Sequence, residues 1–161
     1  GSLFSGTYVS MFIDDSDRIH VAAYDSAGAD LRYFFLESIT DTTPESVLVD
    51  ANNSVGLWTE IGVNAAGELH IAYYNNSENG TRDSIKLARY EGTLPTVLPG
   101  VNGSGEATGN WEFMTVPTNS VPQGGLVQFN KVDVEFDSTG QPVVGYLGSN
   151  LEYARILPEI P

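Results

Sequence analysis

Cysteine is missing from all 161 residues. A disulfide framework, a thiolate metal site and a cysteine nucleophile are thereby excluded. Positive charge is scarce as well: 7 Lys and Arg stand against 21 Asp and Glu, a formal net charge of −14. Nucleic acids and anionic membrane surfaces select basic footprints, so neither is an expected partner. Divalent cations, basic partners and plain solubility are all compatible with that charge. No apolar run reaches the roughly 18 residues of a membrane helix, so membrane insertion is not expected. Helical periodicity is lacking throughout. Also missing are a serine nucleophile elbow, a phosphate-binding glycine loop and a His-x-x-x-His zinc motif.

What the chain has instead is a strand pattern written more than once. "DRIHVAAYDS" at 17–26 and "GELHIAYYNN" at 67–76 share an apolar residue, a His, an apolar residue, an Ala and, two residues on, a Tyr. The likeness extends into units that start at Tyr8 and Trp58, with a more diverged third from Lys131 that lacks the His. Each unit opens on a period-two strand: Val9, Met11, Ile13; Thr59, Ile61, Val63; Val132, Val134, Phe136. That alternation marks a sheet with one buried face. A tight turn follows, "DDSD", "NAAG" or "DSTG", in which Asp or Asn caps the backbone and Gly accepts a positive φ. The first unit carries Asp17 where the Gly is expected. Second and third strands come next. A fourth is expected at 45–51 and at 111–117, and none in the third unit.

The fold class expected is all-β, a β-propeller-like arrangement of about three blades of antiparallel strands. The units run at about 5–54, 55–122 and 123–161 within a single domain over 1–161, with a long loop at 91–110. Propellers close with about four to eight blades. An incomplete ring leaves sheet edges and apolar faces to be covered. It is completed by more of the same chain, by a second copy, or by the sheets packing on one another.

The pattern Asp-x-x-Gly-x-x-His-Ile-Ala-Tyr-Tyr-Asp, followed by Leu-x-Tyr-Ala, resembles repeats of secreted or surface bacterial β-propellers, distantly similar to the sialidase-like (BNR-like) superfamily. The matching residues are Asn64, Gly67, His70, Ile71, Ala72, Tyr73, Tyr74 and Asn75 in the second unit. In the third they are Asp137, Gly140, Leu151, Tyr153 and Ala154. The resemblance implies a propeller fold and a place outside the cell or on its surface, and it says little of function, since propellers host many activities. The sialidase Asp box (Ser-x-Asp-x-Gly-x-Thr-Trp) is absent, and the five arginines are spread over different units.

Several residues are candidates for chemistry. His20 and His70, the only histidines, hold equivalent positions; with Asp14 or Asp17 they form a weak candidate metal set. A structural role, bonding the neighbouring turn, explains their repetition without any function. Ser10, Glu60 and Asp133 are equivalent polar positions on the first strands; two carboxylates facing one channel suit Ca²⁺ or a basic group. Otherwise they form a solvated strand face, and no cofactor is required. "DDSD" at 14–17 lacks the rest of a calcium loop. Trp58, Tyr24, Tyr74 and Trp111, with Tyr73, are candidates for a sugar-stacking surface, or else blade core. Sequons occur at Asn52, Asn75, Asn79 and Asn102, at a frequency that chance explains in so Asn-rich a chain.

The expected function is an extracellular or cell-surface binding and structural module without catalysis. It assembles with itself or with other protein chains through open blade faces. The alternatives are a glycan-binding propeller module, a subunit of an extracellular filament, and a fragment of a glycosidase-like propeller with Glu60 and Asp133 as its carboxylate pair.

Overall fold

Three turns of the same construction set the register of the molecule. In each, an Asp or Asn side-chain oxygen accepts two backbone N–H groups. Asp14 takes those of Ser16 (2.8 Å) and Arg18 (3.0 Å). Asn64 takes those of Ala66 (3.0 Å) and Glu68 (2.9 Å). Asp137 takes those of Thr139 (2.7 Å) and Gln141 (3.2 Å). The fourth residue is left-handed each time: Asp17 at φ 60°, Gly67 at 79° and Gly140 at 81°. An L-residue with a short polar side chain tolerates that region best after Gly, which explains Asp17.

The computed structural model describes residues 6–42, 44–52, 54–78, 82–92, 94–95, 111–117, 131–147 and 151–156. Among them there is no helix, and the strands form three antiparallel sheets. The first contains β1 (Gly6–Ile13), β2 (Ile19–Asp25), β3 (Asp30–Leu36) and β4 (Glu45–Asp50). The second contains β5 (Ser54–Val63), β6 (Leu69–Glu78), β7 (Arg82–Tyr90) and β8 (Trp111–Thr115). The third contains β9 (Val132–Phe136), β10 (Pro142–Leu147) and β11 (Leu151–Arg155). In every sheet the strands lie side by side in chain order. The first strands gather, β1 packing on β5 and β5 on β9. The long loop expected at 91–110 falls mostly outside the described residues.

Burial explains the stacking. Alternate residues of β3 are buried, as a one-sided sheet requires. In β6 the run Leu69–Tyr73 is buried without a break, so both faces of the middle sheet are covered. Its Leu69, Ile71 and Tyr73 meet Ala22, Leu31, Tyr33, Phe35 and Val47 of the first sheet. Its Ala72, Ile85 and Leu87 meet Val132, Val134, Val144 and Tyr146 of the third. A buried polar bolt joins the first two sheets. The buried Asp50 carboxylate accepts the Tyr73 hydroxyl at 2.7 Å and lies 3.4 Å from Lys86 Nζ.

Gly56 is where β5 crosses closest to β3. Its φ is +94°, and a Cβ there would stand 2.8 Å from the Leu31 Cα. Gly67 is left-handed too, but among the described residues nothing lies within 4 Å of its missing Cβ. Gly67→Ala is therefore expected to cost only the conformational penalty, about 1 kcal/mol. Gly56→Ala adds a backbone clash and is expected to cost about 3 kcal/mol. Urea unfolding of the two variants measures the difference; equal costs would contradict this account of Gly56.

Candidate functional site

The equivalent positions Ser10, Glu60 and Asp133 come together where β1, β5 and β9 gather. Ser10 Oγ accepts the Ile61 N–H at 3.2 Å, and the Ser10 hydroxyl favours the ionised form of the Glu60 carboxyl. Burial pushes the Glu60 carboxyl above its ordinary value. The Asp133 and Glu135 charges push the same way, while Ser10 and Lys131 oppose them. Glu60 is half-buried and Asp133 is exposed. The two carboxylates thus feel each other in one polar row.

A row of aromatic rings adjoins this region along the chain. Trp58 lies 5.0 Å from Tyr8 and 5.2 Å from Tyr74, and Tyr8 lies 6.1 Å from Tyr24. Tyr8 and Trp58 also sit at register shifts of β1 (between Thr7 and Ser10) and β5 (between Leu57 and Glu60), with φ of 53° and 50°. Left-handed backbone is uncommon for such bulky residues, and paired strain of this kind is the mark of a constrained site. The Thr59 hydroxyl fastens the two strands together there by donating to the Tyr8 carbonyl. Tyr74 donates its hydroxyl to Asp83 at 2.6 Å, and Tyr24 bonds Ser54 Oγ at 3.2 Å. Tyr24, Trp58 and Tyr74, singled out from sequence, are therefore neighbours. Tyr8 was missed, although it opens the first unit as Trp58 opens the second.

Trp111 does not join that row. It packs 5.9 Å from Tyr33 and 5.3 Å from Tyr90, between the first two sheets, and its indole N–H has no hydrogen-bond partner among the described residues. Tyr73 is wholly buried on Asp50. Of the two readings offered for these rings, Tyr73 and Trp111 fit the core one: period-two alternation turns Tyr73 and Tyr74 to opposite faces of β6.

The histidines are apart, each in its own sheet interface. His20 is fully buried beside Phe12 and Phe35, with Nδ1 2.6 Å from the Tyr33 hydroxyl and Nε2 3.4 Å from Asp14. Burial lowers its pKa, against the pull of Asp14. Burial alone would raise Asp14, but the bonds from Arg18, Ser16 and His20 outweigh it and hold the carboxyl at about 2. His70 packs 5.1 Å from Phe136, and its Nδ1–H donates to the Glu68 carbonyl at 3.1 Å. Burial lowers it too. Asp17 is exposed and serves the turn. Among the described residues no three His, Asp or Glu side chains gather to hold a metal ion.

Two hollows went unnoticed in the sequence. A cleft of about 400 Å³ opens between the second and third sheets, lined by His70, Arg89, Glu112, Met114, Gln141 and Ile156 among others. An apolar groove of about 370 Å³ lies on the outer face of the first sheet, along Val9, Val21, Leu36 and Pro44. Both depend on which sheet stands next to which, and strand periodicity does not encode that. Of the sequons, Asn52 is exposed, and Asn75 is wholly buried with its amide on Ser84 Oγ. Asn79 and Asn102 lie outside the described residues.

No protein-family model matches the chain, and no curated protein matches it as a relative.

The raised Glu60 carboxyl gives a test with a defined sign. The folded state holds that proton more tightly than the unfolded state does, so ionisation weakens folding as pH rises past the ordinary 4.5. Glu60→Gln is expected to raise the melting temperature at about pH 7, with the gain vanishing below about pH 4. Thermal melts at the two pH values measure this; a lower melting temperature at neutral pH would overturn it.

Proposed function

We propose that the three sheets are successive blades of a propeller-type fold and that the chain is a non-catalytic assembly module. It joins copies of itself, or other protein chains, through the faces of its outer sheets, and it needs no cofactor to do so. The observation that carries this is the exposure of positions whose equivalents are core. Met11 of β1 is 57% exposed, whereas Ile61, its counterpart in β5, is 5% exposed. Tyr153 of β11 is 79% exposed, whereas Tyr33, its counterpart in β3, is fully buried. Val9, Ile13, Leu147 and Leu151 are bare beside them. Contiguous apolar surface of this kind marks an interaction site.

A second copy is the favoured partner. The outer face of the first sheet is the repeat equivalent of the face that the second sheet turns toward the first. The outer face of the third sheet is the equivalent of the face that the first turns toward the second. The two bare faces are thus counterparts of surfaces that already pack together, and a head-to-tail pair satisfies both. The extracellular or cell-surface setting rests on the resemblance of the repeats to those of secreted propellers, and an acidic, cysteine-free chain is compatible with it. A second reading, glycan binding, is favoured by the Tyr24, Tyr8, Trp58 and Tyr74 row, since aromatic rings with polar edges stack on sugars. A glycan array separates the two.

The native mass of the purified chain, measured by light scattering across a concentration series, tests the first reading. A dimer or larger closed species is expected. Met11→Asp and Tyr153→Asp are each expected to return it to monomer, with the melt of the monomer preserved. A monomer at every concentration, or association that neither change disturbs, would overturn assembly through these faces.

A further inference from the structure

The far edge of the third sheet differs from the far edges of the other two. β4 lies against β3, and β8 against β7, closing those sheets on their outer sides. Among the described residues nothing lies against β11. Its backbone is nevertheless set to receive a strand. The Ile156 N–H donates inward to the Pro142 carbonyl at 2.9 Å. Neighbouring residues of a strand point their backbone groups to opposite sides, so those of Tyr153 and Arg155 face outward. Their equivalents in β7 are Leu87 and Arg89, because Val144 opposite Ala154 repeats Ile71 opposite Ala88. Ile85, the equivalent of Leu151, uses its carbonyl to accept the Val116 N–H from the β8 side at 2.9 Å.

The cleft shows what the missing strand would carry. Between the first two sheets the matching volume is filled by Tyr90 and Trp111, which face each other across β7 and β8 with rings 5.3 Å apart. Between the second and third sheets Ile156 stands where Tyr90 would, and no counterpart of Trp111 is present among the described residues. The result is the cleft of about 400 Å³ bordered by Ile156, Gln141, His70 and Arg89. Opposite Arg89 in β8 is Glu112, their charged groups 3.4 Å apart. Arg155, the equivalent of Arg89, is about half exposed and pairs with Asp137 in its own sheet.

We propose that the edge of β11 and the adjoining cleft form a docking site for an extended segment of another polypeptide. The segment adds to the third sheet as an antiparallel fourth strand. It places an aromatic side chain opposite Ile156 in the cleft, an acidic residue next to it opposite Arg155, and an apolar residue opposite Ala154. Main-chain hydrogen bonds to Tyr153 and Arg155 hold it, and the aromatic anchor selects it. This site is a sheet edge, separate from the open sheet faces through which assembly is proposed, and it stands or falls independently of them.

The chain's own β8 sequence, "NWEFMTVP" at 110–117, already has that order of side chains and serves as the probe. Titration of the synthetic peptide into the full chain, followed by backbone amide NMR, is expected to move the signals of Tyr153, Arg155 and His70. The Trp111→Ala form of the peptide is expected to bind at least about tenfold more weakly. Tyr153→Pro removes an outward N–H while leaving the bonds to β10, a change that edge strands tolerate. It is expected to weaken binding by about tenfold or more, whereas Tyr153→Ala, which keeps the N–H, binds as the parent does. Both variants lack the exposed ring and so report equally on face-to-face assembly; only the edge site tells them apart. Equal binding by the two variants, no movement of β11 signals at millimolar peptide, or Tyr153 and Arg155 amides already protected from exchange in the free chain would each overturn the proposal.

Discussion

A meander of four short strands with apolar residues on both faces cannot stand in water alone, and the whole molecule answers to that constraint. The second sheet meets it fully, with Leu69, Ile71 and Tyr73 on one side and Ala72, Ile85 and Leu87 on the other. The outer sheets meet it by half. Among the described residues two apolar surfaces lie where the stacking stops: the groove on the first sheet, and the bare Leu147, Leu151 and Tyr153 of the third. The cleft beside Ile156 lies where, among the same residues, the third sheet lacks the partner strand that its neighbours have.

Polar groups keep the stack in register where apolar contact would allow sliding. The repeated Asp or Asn turn fixes where each second strand begins, so the same side chains return to the same face. Asn64 goes further, its amide reaching the Gly140 carbonyl of the third turn at 3.2 Å. Asp50 does the same between the first and second sheets through Tyr73. Such bonds contribute modestly to stability, but an unmatched buried carboxylate is costly, so misplaced stackings are penalised.

The strands and turns were legible because their signals are local. Alternation in Val9, Met11 and Ile13, and Asp or Asn three residues before Gly or Asp, need only neighbours along the chain to be read. The equivalence of Ser10, Glu60 and Asp133 was legible for the same reason, since aligned units place aligned residues. What stayed hidden depends on which groups each side chain meets in space. His20 and His70 look alike in sequence, yet one bonds a tyrosine and a carboxylate while the other bonds a carbonyl. Tyr73 and Tyr74 are adjacent in the chain and part company across β6. The cleft arises from Ile156 standing where Tyr90 stands one sheet earlier, a difference with no meaning until the sheets are stacked.

Among the described residues the strands within each sheet pair in chain order, and no pairing skips over another strand. During synthesis, at about 5–20 residues per second, the first meander can close its hydrogen bonds as soon as Asp50 has emerged. Its inner face, with Leu31, Tyr33 and Val47, then waits for β5 and β6 to arrive and cover it. The second meander in turn offers Ala72, Ile85 and Leu87 to the third. Chain order of this kind lets each sheet serve as the template for the next. The nascent chain always carries one uncovered apolar face, so the pace of translation across each boundary sets how long that face is open to the wrong neighbour.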